Sequence, residues 1–427
     1  MRRRFQLLYK ILACLVLGFL LLQMHSCKNS RSSSGTPAKD AANAENPIFQ
    51  EKLQVNLVEQ FRFCEEQLKK SVALNTDYTT HPRLIEAGEK HWKMPKNDVL
   101  IWTVGFYPGI LWQMYDVTKK EYWKKEALKR TLPLEPYKNN REHHDVGFMM
   151  YCSYGQAYRL TGNKEYRDVL IQSAKSLISR YNPRVGTIKS WSNELHPQWK
   201  QHITIIDNML NLELLFWASK ETGDPIYREI AVKHAETTMK HHFREDNSCY
   251  HVVEYDENTG AVRNKNTSQG YADESVWARG QAWAVYGYTM VYRETGDPKF
   301  LDFAKKVSER FIAGLPADHV PYWDFFLNGK EGEPRDASAA AIAASGLVEL
   351  STHVKLQAEA RRYRAAADAI LNSLASKSYS AKGVNDAFLL HSTGAKPQGH
   401  EIDVALVYAD YYYLEALLRR KALMRKM

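Results

Sequence analysis

The chain has 427 residues, of which 44% are hydrophobic and 25% are charged, and its formal net charge is +9 at pH 7. Residues 1–46 and the basic tail at 419–426 each contribute about +5, which leaves the rest of the chain near −1. Because the excess charge lies at the two ends, the composition does not indicate a nucleic-acid partner. The five cysteines form neither a disulfide framework nor a Cys-x-x-Cys zinc motif.

Residues 1–27 have the pattern of an export signal. A basic start, Met1–Arg4, precedes an apolar run from Ile11 to Leu22 that is too short to span a membrane. The run closes on Ser26 and Cys27, as in a bacterial lipobox, whose cysteine is acylated. We therefore expect a bacterial lipoprotein, exported to the periplasm or the cell surface and held on the membrane through Cys27. Ordinary cleavage near this position would instead give a soluble exported protein.

Two further regions follow the signal. Residues 28–46 are Ser, Ala, Asn and Lys with almost no large apolar side chain. Such a segment cannot bury enough surface to offset its ordering entropy, so it is predicted to be a flexible tether. Residues 47–427 are dense in Trp, Tyr and Leu and are predicted to form one large domain.

One motif recurs along this domain. A helical stretch ends in Thr-Gly-Asn or Thr-Gly-Asp, and an aromatic residue follows in the next helix. The glycine predicts a left-handed C-cap, and the Asn or Asp predicts an N-cap for the second helix. Pro225 and Pro298 fall on the first helical position, where a missing N–H costs little. The copies are Thr161–Asn163, Thr222–Asp224 and Thr295–Asp297, with a degenerate copy at Asp116–Tyr122.

The helices around these turns are of two kinds. Those after a turn, such as Tyr227–Lys240 and Lys299–Arg310, are amphipathic, as outer helices are. Those before a turn, such as Ile203–Ala218 and Gln281–Tyr292, are apolar nearly all round, as inner helices are. Alternating inner and outer helices over about six hairpins predict an all-α toroid. An open helical solenoid used for binding is the alternative.

A carboxylate interrupts one of the apolar stretches. In Ile203–Trp217, Asp207 is predicted to share a polar stripe of a buried helix with Thr204, Asn208 and Asn211. Apolar neighbours would raise its pKa, as a general acid requires near neutral pH. A structural Asp paired with an Arg is the alternative from spacing alone.

A second candidate lies in Arg141–Phe148, where Asp145 follows His143 and His144. It stands just before an apolar helical run, so an N-cap role is the alternative to a catalytic one. Although these three residue types can bind metals, adjacent residues rarely converge on one ion, and the sequence offers no distant third ligand. No metal site is predicted.

The stretch Ser268–Trp283 carries the most distinctive pattern. Ser275, Arg279, Trp283 and Tyr286 recur at spacings of four, four and three, which would place a guanidinium beside aromatic rings on one helix face. Aromatic faces stack on sugar rings, and Arg binds carboxylates in bidentate fashion. Together with the aromatic segment Trp102–Trp112, the pattern indicates a carbohydrate pocket.

With these segments in place, the chain resembles the unsaturated glucuronyl hydrolases, glycoside hydrolase family 88. The likeness covers nearly the whole body and implies an (α/α)6 barrel with no metal or organic cofactor. The segments that carry it are His144–Phe148, Ile206–Asn208, Gln269–Asp273, Trp277–Trp283 and Arg335–Ser338.

The resemblance also implies roles for individual residues. Asp207 matches the general acid/base and Asp145 the second essential carboxylate. The residues expected to contact substrate are Trp102, His144, His251, Gln269, Arg279 and Trp283. Because little motif surrounds His251, its match depends on position alone.

The implied reaction removes a terminal 4,5-unsaturated uronic acid from lyase-generated oligosaccharides, which are expected to derive from glycosaminoglycans. Asp207 would protonate C4 of the vinyl ether and then activate the water that adds at C5. Arg279 or His251 would face the substrate carboxylate. Two alternatives stay open: an unsaturated rhamnogalacturonyl hydrolase acting on pectin fragments, and a non-catalytic glycan-binding surface lipoprotein.

Overall fold

The structure, a computed structural model, describes residues 53–193 and 196–426. The predicted signal peptide (1–27), the tether (28–46) and the acylation site Cys27 lie outside the described residues. Within those residues, no helix is both long and apolar enough to cross a membrane.

Helices dominate the described part of the chain, and α4 is interrupted by one π-helical turn. They are α1 (Leu57–Leu74), α2 (Phe106–Thr118), α3 (Glu121–Thr131), α4 (Val146–Met150, the π turn Tyr151–Gly155, and Gln156–Thr161), α5 (Lys164–Ile178), α6 (Asn208–Thr222), α7 (Pro225–His241), α8 (Ala278–Thr295), α9 (Pro298–Ala313), α10 (Ala337–His353), α11 (Gln357–Leu374) and α12 (Val407–Lys426). The even-numbered helices are inner and the odd-numbered helices are outer.

The inner helices form a closed ring. Each packs on its inner neighbours in the order α2, α4, α6, α8, α10 and α12, and α12 returns to contact α2. Helix α1 packs outside the seam between α12 and α2. The all-α (α/α)6 barrel is therefore confirmed, and the open-solenoid alternative is wrong.

The predicted hairpin turns are confirmed in detail. Gly162, Gly223 and Gly296 end α4, α6 and α8 in the left-handed conformation, with φ of 68°, 76° and 68°. The side chains of the following residues accept hydrogen bonds from the first turns of α5, α7 and α9, as N-caps do; these residues are Asn163, Asp224 and Asp297. In the degenerate copy, Lys119 takes the left-handed position with φ of 55°.

Short strands supplement the barrel. They are β1 (Leu84–Ile85), β2 (Tyr181–Asn182), β3 (Thr187–Ile188), β4 (His202–Ile205), β5 (Val252–Tyr255), β6 (Val262–Asn266) and β7 (Ala405–Leu406). Strands β4, β5 and β6 form one antiparallel sheet, in which Ile205 pairs with Val252. The prediction of a helix beginning at Ile203 is therefore wrong, since α6 begins only at Asn208.

The Ala-rich helix α10 lets its neighbour approach closely, as its sequence indicates. A Cβ added at Gly346 would lie 3.0 Å from the backbone Cα of Tyr286 in α8. Helices α8 and α10 are also the two most completely buried of the ring, each with long runs of buried residues. Helices α8 and α10 are thus closely packed against each other on one side of the ring.

Candidate active site

The inner helices all begin at the same end of the barrel. A helix N-terminus carries partial positive charge, so this end favours bound anions and ionised carboxylates. The candidate residues lie there, at or near the first turn of each inner helix: Trp102 and Asp145 before α2 and α4, Asp207 before α6, Arg279 in α8, Asp336 before α10 and Tyr408 in α12.

Asp207 stands between β4 and α6 and not within a helix, which corrects the sequence prediction. It takes the N-cap position of α6 but makes no side-chain capping bond. The strand pairing fixes its position, because the N–H of Ile206 donates to the carbonyl of His251 at 3.1 Å. Thr204 lies on β4, where its hydroxyl pairs with that of Thr187, so it does not belong to the predicted stripe of α6.

The two carboxyl groups are set to opposite protonation states. Burial raises the pKa of Asp207 to about 7, and the nearby charge of Asp145 adds to this, although Arg279 opposes it. Burial also acts on Asp145, but the neighbouring His144 and His143 outweigh it and lower its pKa. Near neutral pH, Asp207 can therefore donate a proton while Asp145 stays ionised.

Asp145 is held by the two preceding histidines. Nδ1 of His143 lies 3.1 Å from one carboxylate oxygen, and Nε2 of His144 lies 3.3 Å from the other. The side chain makes no capping bond to α4, so the N-cap alternative fails although the residue occupies the N-cap position. Asn211 of α6 contacts Nδ1 of His144 at 3.4 Å, which directs Nε2 toward Asp145.

His251 is a neutral donor aimed at the acid. The backbone N–H groups of Ser268 and Gln269 donate to its Nδ1 at 3.1 and 3.2 Å, so Nε2 carries the hydrogen. Nε2 lies 3.8 Å from Oδ1 of Asp207. Burial, aided by Arg279, lowers the pKa of His251 well below its usual range. It is therefore unsuited to meet the substrate carboxylate as a cation.

Arg279 is engaged by the protein itself. Its guanidinium donates to the carboxylate of Asp336 at 2.8 Å and to the carbonyl oxygens of Thr393 and Gly394 at 2.6 and 2.7 Å. It also lies 4.4 Å from the ring of Trp277. The side chain is buried and forms no ion pair with Asp207, so the structural Asp–Arg pair considered for Asp207 is wrong.

The predicted aromatic and amide residues line the same region. Trp102 packs against Phe148 and Tyr408, with ring centroids 5.4 and 4.9 Å apart. Gln269 donates to the carbonyl of Gly394 at 3.2 Å. Ser275 precedes α8 and donates to Asp324, so it does not share a helix face with Arg279 as the spacing suggested.

Several polar atoms at this site have no hydrogen-bond partner among the described residues. They include Nε2 of His144, Oδ1 of Asp207, Nε2 of His251 and Nε1 of Trp283, and all four are buried. Buried polar groups normally have partners, so this group of atoms marks where substrate and water would bind. Trp283 lies close enough to Asp207 to favour its ionised form.

Sequence reasoning left out three residues of the site: Asp336, Trp277 and Tyr408. Asp336 could have been found, because Asp-Ala-Ser before an apolar helix is an N-cap signal, and Asp336 does cap α10. The ring of Trp277 lies 4.4 Å from that of His251, a contact between distant segments that no local pattern encodes. In the described part of the chain, no cluster of His, Cys, Asp or Glu could hold a metal ion.

The barrel of paired helices is closed, and one end carries aromatic walls and two carboxyl groups of opposite protonation state. These features define an α/α-barrel carbohydrate hydrolase. The family model of Glycosyl Hydrolase Family 88 matches residues 75–419. An unsaturated glucuronyl hydrolase of Formosa agariphila is 45% identical over 377 residues, which are 87% of this chain and 92% of the relative.

Solved structures agree. An unsaturated glucuronyl hydrolase specific for heparin matches with a TM-score of 0.80 and 42% identity, over 87% of this chain and 98% of the other. A Streptococcus agalactiae unsaturated glucuronyl hydrolase mutant complexed with dGlcA-GalNAc6S matches with a TM-score of 0.76 and 31% identity. The match covers 88% of this chain and 95% of the other. This chain belongs to glycosyl hydrolase family 88, as its sequence motifs predicted, and is a glycoside hydrolase.

Proposed function

We propose that this enzyme removes the terminal 4,5-unsaturated uronic acid from lyase-generated oligosaccharides, with glycosaminoglycan fragments as its substrate class. The observation that carries the proposal is Asp207, a buried carboxyl with a pKa of about 7 beside unpartnered donors on His251 and Trp283. The relatives named for glucuronyl and heparin substrates support the substrate class.

The proposed reaction needs one acid and one water. Asp207 gives its proton to C4 of the C4=C5 vinyl ether, and positive charge develops over C5 and the ring oxygen. The Asp207 carboxylate then takes a proton from water as the water oxygen bonds to C5. The resulting hemiketal opens to a ketone at C5, and the hemiacetal at C1 releases the neighbouring sugar with a free hydroxyl. Because C1 is not attacked, the spacing of the two carboxyls does not set the outcome.

The remaining groups bind and orient the substrate. Ionised Asp145 is suited to accept hydrogen bonds from sugar hydroxyls. Since His251 is neutral and Arg279 is engaged by Asp336, the positive field at the converging helix N-termini is the feature best suited to the substrate carboxylate. Trp102 and Trp283 supply apolar walls.

Replacement of the acid tests the proposal. Asp207→Asn should lower turnover of unsaturated disaccharide at least a thousandfold, followed as loss of the alkene's ultraviolet absorbance, because no other group supplies the proton. The exposed Asp168→Asn on α5 is the matched control and should retain full activity. Near-normal turnover by Asp207→Asn at an unchanged circular dichroism spectrum would contradict the assignment.

The substrate class is tested with matched disaccharides. Unsaturated glucuronyl disaccharides from glycosaminoglycans should be turned over faster than unsaturated galacturonyl-rhamnose under the same conditions. A preference for the pectin-derived disaccharide would contradict the proposed class while leaving the chemistry of Asp207 in place. A panel that differs only in sulfate position would then define the preferred neighbouring sugar.

We also propose that the enzyme is an exported lipoprotein acylated at Cys27. The support is the basic start, the apolar run from Ile11 to Leu22 and the small residue before Cys27. In the producing bacterium, the wild type should enter the membrane fraction and incorporate a labelled fatty acid. Cys27→Ser should lose the label and leave that fraction; labelling that persists in the variant would exclude this site.

A further inference from the structure

Exposed aromatic side chains are rare among the described residues, and two of them stand on neighbouring backbone segments near the active-site mouth. Among the described residues, three aromatic side chains are highly exposed: Tyr122 at 46%, Tyr271 at 53% and Phe326 at 59%. Tyr122 lies on the outer helix α3, whereas Tyr271 follows directly after the site residues Gln269 and Gly270. Exposed apolar surface beside a binding site is typical of a place where a ligand rests.

One buried carboxylate fixes both of these residues. Asp324 accepts the backbone N–H of Tyr271 at 3.0 Å on one oxygen and the backbone N–H of Phe326 at 3.0 Å on the other. Its Oδ2 also accepts the hydroxyl of Ser275 at 2.6 Å. The backbone segments that carry the two exposed aromatic side chains are therefore held close to each other by one rigid support.

The segment that carries Tyr271 starts at the catalytic centre and leads outward. The N–H groups of Ser268 and Gln269 hold His251 beside Asp207, and Gln398 donates to the carbonyl of Ser268 at 2.7 Å across the mouth. Tyr271 comes two residues beyond Gln269, so it lies at most about 7 Å further along the backbone. It therefore stands outside the pocket but within reach of an oligosaccharide that extends from it.

A cation completes the group. Nζ of Lys330 lies 5.7 Å from the ring centre of Tyr271, and its nearest carboxylate oxygen, on Glu333, is 4.0 Å away. The ring of Trp323 braces Tyr271 from the buried side in an edge contact at 6.3 Å. Aromatic faces with an adjacent, weakly paired ammonium suit a sugar ring that bears a carboxylate or sulfate group.

From this arrangement we infer that Tyr271, Phe326 and Lys330, the rim cluster, form a distal subsite for the third sugar of an anionic oligosaccharide. The inference rests on the proposed function and extends it, because the unsaturated uronate and its neighbour fill the pocket while the next sugar stacks at the rim. The enzyme should accordingly prefer lyase products longer than a disaccharide.

The test compares unsaturated di- and tetrasaccharides from the same polysaccharide, with kcat/KM measured for each. Tyr271→Ala and Phe326→Ala should lower kcat/KM for the tetrasaccharide about tenfold, through KM, which corresponds to about 1.4 kcal/mol. Disaccharide turnover should stay within about twofold. Lys330→Ala should act on the tetrasaccharide alone, and its effect should shrink at high salt because exposed charge is screened.

Tyr122→Ala is the matched control, because Tyr122 is an exposed tyrosine of similar accessibility on α3. It should change kcat/KM for neither the disaccharide nor the tetrasaccharide. Equal losses on both substrates, or no loss on either, would overturn the distal subsite. A wild type that turns over neither substrate would contradict the proposed function instead, so the two failures are distinguishable.

Discussion

At the scale of single residues, Asp207 and Asp145 are chemically identical and differ only in their neighbours. Oδ1 of Asp207 accepts no hydrogen bond from the protein, since Nε2 of His251 is 3.8 Å away, while Asp145 has a histidine nitrogen within 3.3 Å of each oxygen. Burial therefore dominates for the first, and favourable charge and hydrogen bonding dominate for the second. This division gives one group a proton to donate and keeps the other charged.

The pH dependence of turnover follows from that division. Since the pKa of Asp207 is about 7, its proton-bearing form is lost as the pH rises through that value. We expect kcat/KM to be flat below about pH 6 and to fall about tenfold per pH unit above pH 8. The profile is measured with disaccharide in buffers of constant ionic strength; a rate that stays constant through pH 9 would exclude Asp207 as the acid.

The ionised carboxylate of Asp207 should lower the free energy of unfolding at high pH. Its folded pKa is raised above its unfolded value, so its contribution is most favourable below about pH 4 and is lost as the pH rises through 7. Asp207→Asn removes that titration and should be more stable than the wild type at pH 8, by up to about 4 kcal/mol. Urea unfolding at pH 5 and pH 8 measures the difference, and a gap that does not widen with pH would contradict the shift.

Asp336 is a positioning residue for Arg279. Its Oδ2 accepts the guanidinium at 2.8 Å, and its Oδ1 caps α10 through the N–H of Ser338 at 3.0 Å. Asp336→Asn keeps a capping oxygen but turns an amide N–H against Arg279. We expect kcat/KM to fall about a hundredfold, as for a misplacement of about 1 Å. Arg279 lowers the pKa of Asp207, so a guanidinium displaced away from Asp207 would leave that pKa higher. The alkaline limit of activity should therefore also rise.

The control for this change is Ser338→Ala, which removes the hydroxyl bond to the same carboxylate and leaves Arg279 in place. It should keep both the rate and the pH profile of the wild type. A loss of stability in Asp336→Asn with an unchanged alkaline limit would show that Asp336 supports α10 only.

Residue identity was predictable where the type itself carries the chemistry. A carboxyl within an apolar stretch marked Asp207 as a candidate, whereas the role of Asp145 came from the resemblance to the family. The occupation of Arg279 was not predictable, because its partners Asp336, Thr393 and Gly394 lie more than fifty residues away in sequence. An isolated segment reveals a guanidinium but not whether another part of the chain already uses its hydrogens.

At the scale of elements, the turns were predictable because they are local. Gly223 must adopt a positive φ where α6 ends, and Asp224 must cap the next helix within the same few residues. Strand β4 was not predictable, because the residues it pairs with, Val252–Tyr255, lie about fifty positions further on. Ile203–Ile205 is apolar, and such a run fits a buried helix as well as a strand.

Inner helices are also joined by a half-buried charge network away from the site. Arg293 of α8 and Arg419 of α12 both bond to Glu349 of α10, at 2.8 and 2.6 Å. These cations outweigh burial and lower the pKa of Glu349. Glu349→Gln removes the carboxylate that both cations share, while Arg293 keeps Glu213 and Glu294, and should cost about 1–3 kcal/mol at pH 7.

The cost should shrink as the pH falls toward the lowered pKa of Glu349, because a depressed carboxyl loses its contribution on protonation. That loss begins only below the ordinary pKa of a glutamate, about 4.5, so urea midpoints at pH 7 and pH 3 measure it. Glu359→Gln is the control, since its pair with Lys305 lies at the surface, and it should cost less than about 1 kcal/mol. Equal effects of the two substitutions would show that the network carries no special stability.

At the scale of the whole molecule, closure of the ring joins distant parts of the chain. Helix α1 packs on α12, and the hydroxyl of Tyr413 donates to Gln60 at 3.0 Å. The basic tail is partly neutralised by the preceding helices, because Arg419 and Arg420 pair with Glu349 of α10 and Asp368 of α11. The net charge of the tail in the sequence does not reveal these pairs, because both partners lie more than fifty residues earlier in the chain.

Because the ring is closed, we expect a destabilising substitution at the seam to lower the stability of the whole barrel. Phe61 of α1 is 7% exposed, and Nζ of Lys421 in α12 lies 5.0 Å from its ring centre. Phe61→Ala should lower the free energy of unfolding by about 3–4 kcal/mol, as for other buried aromatic truncations. The exposed Val58→Ala on the same helix should change it by less than about 0.5 kcal/mol.

Circular dichroism and tryptophan fluorescence should report one coincident transition for Phe61→Ala, because the ring cannot lose its seam and keep its order elsewhere. Its kcat should match the wild type at temperatures where it is folded, since Phe61 contacts none of the site residues. If α1 docked independently, circular dichroism would instead report an early step that leaves the fluorescence transition of the barrel unchanged.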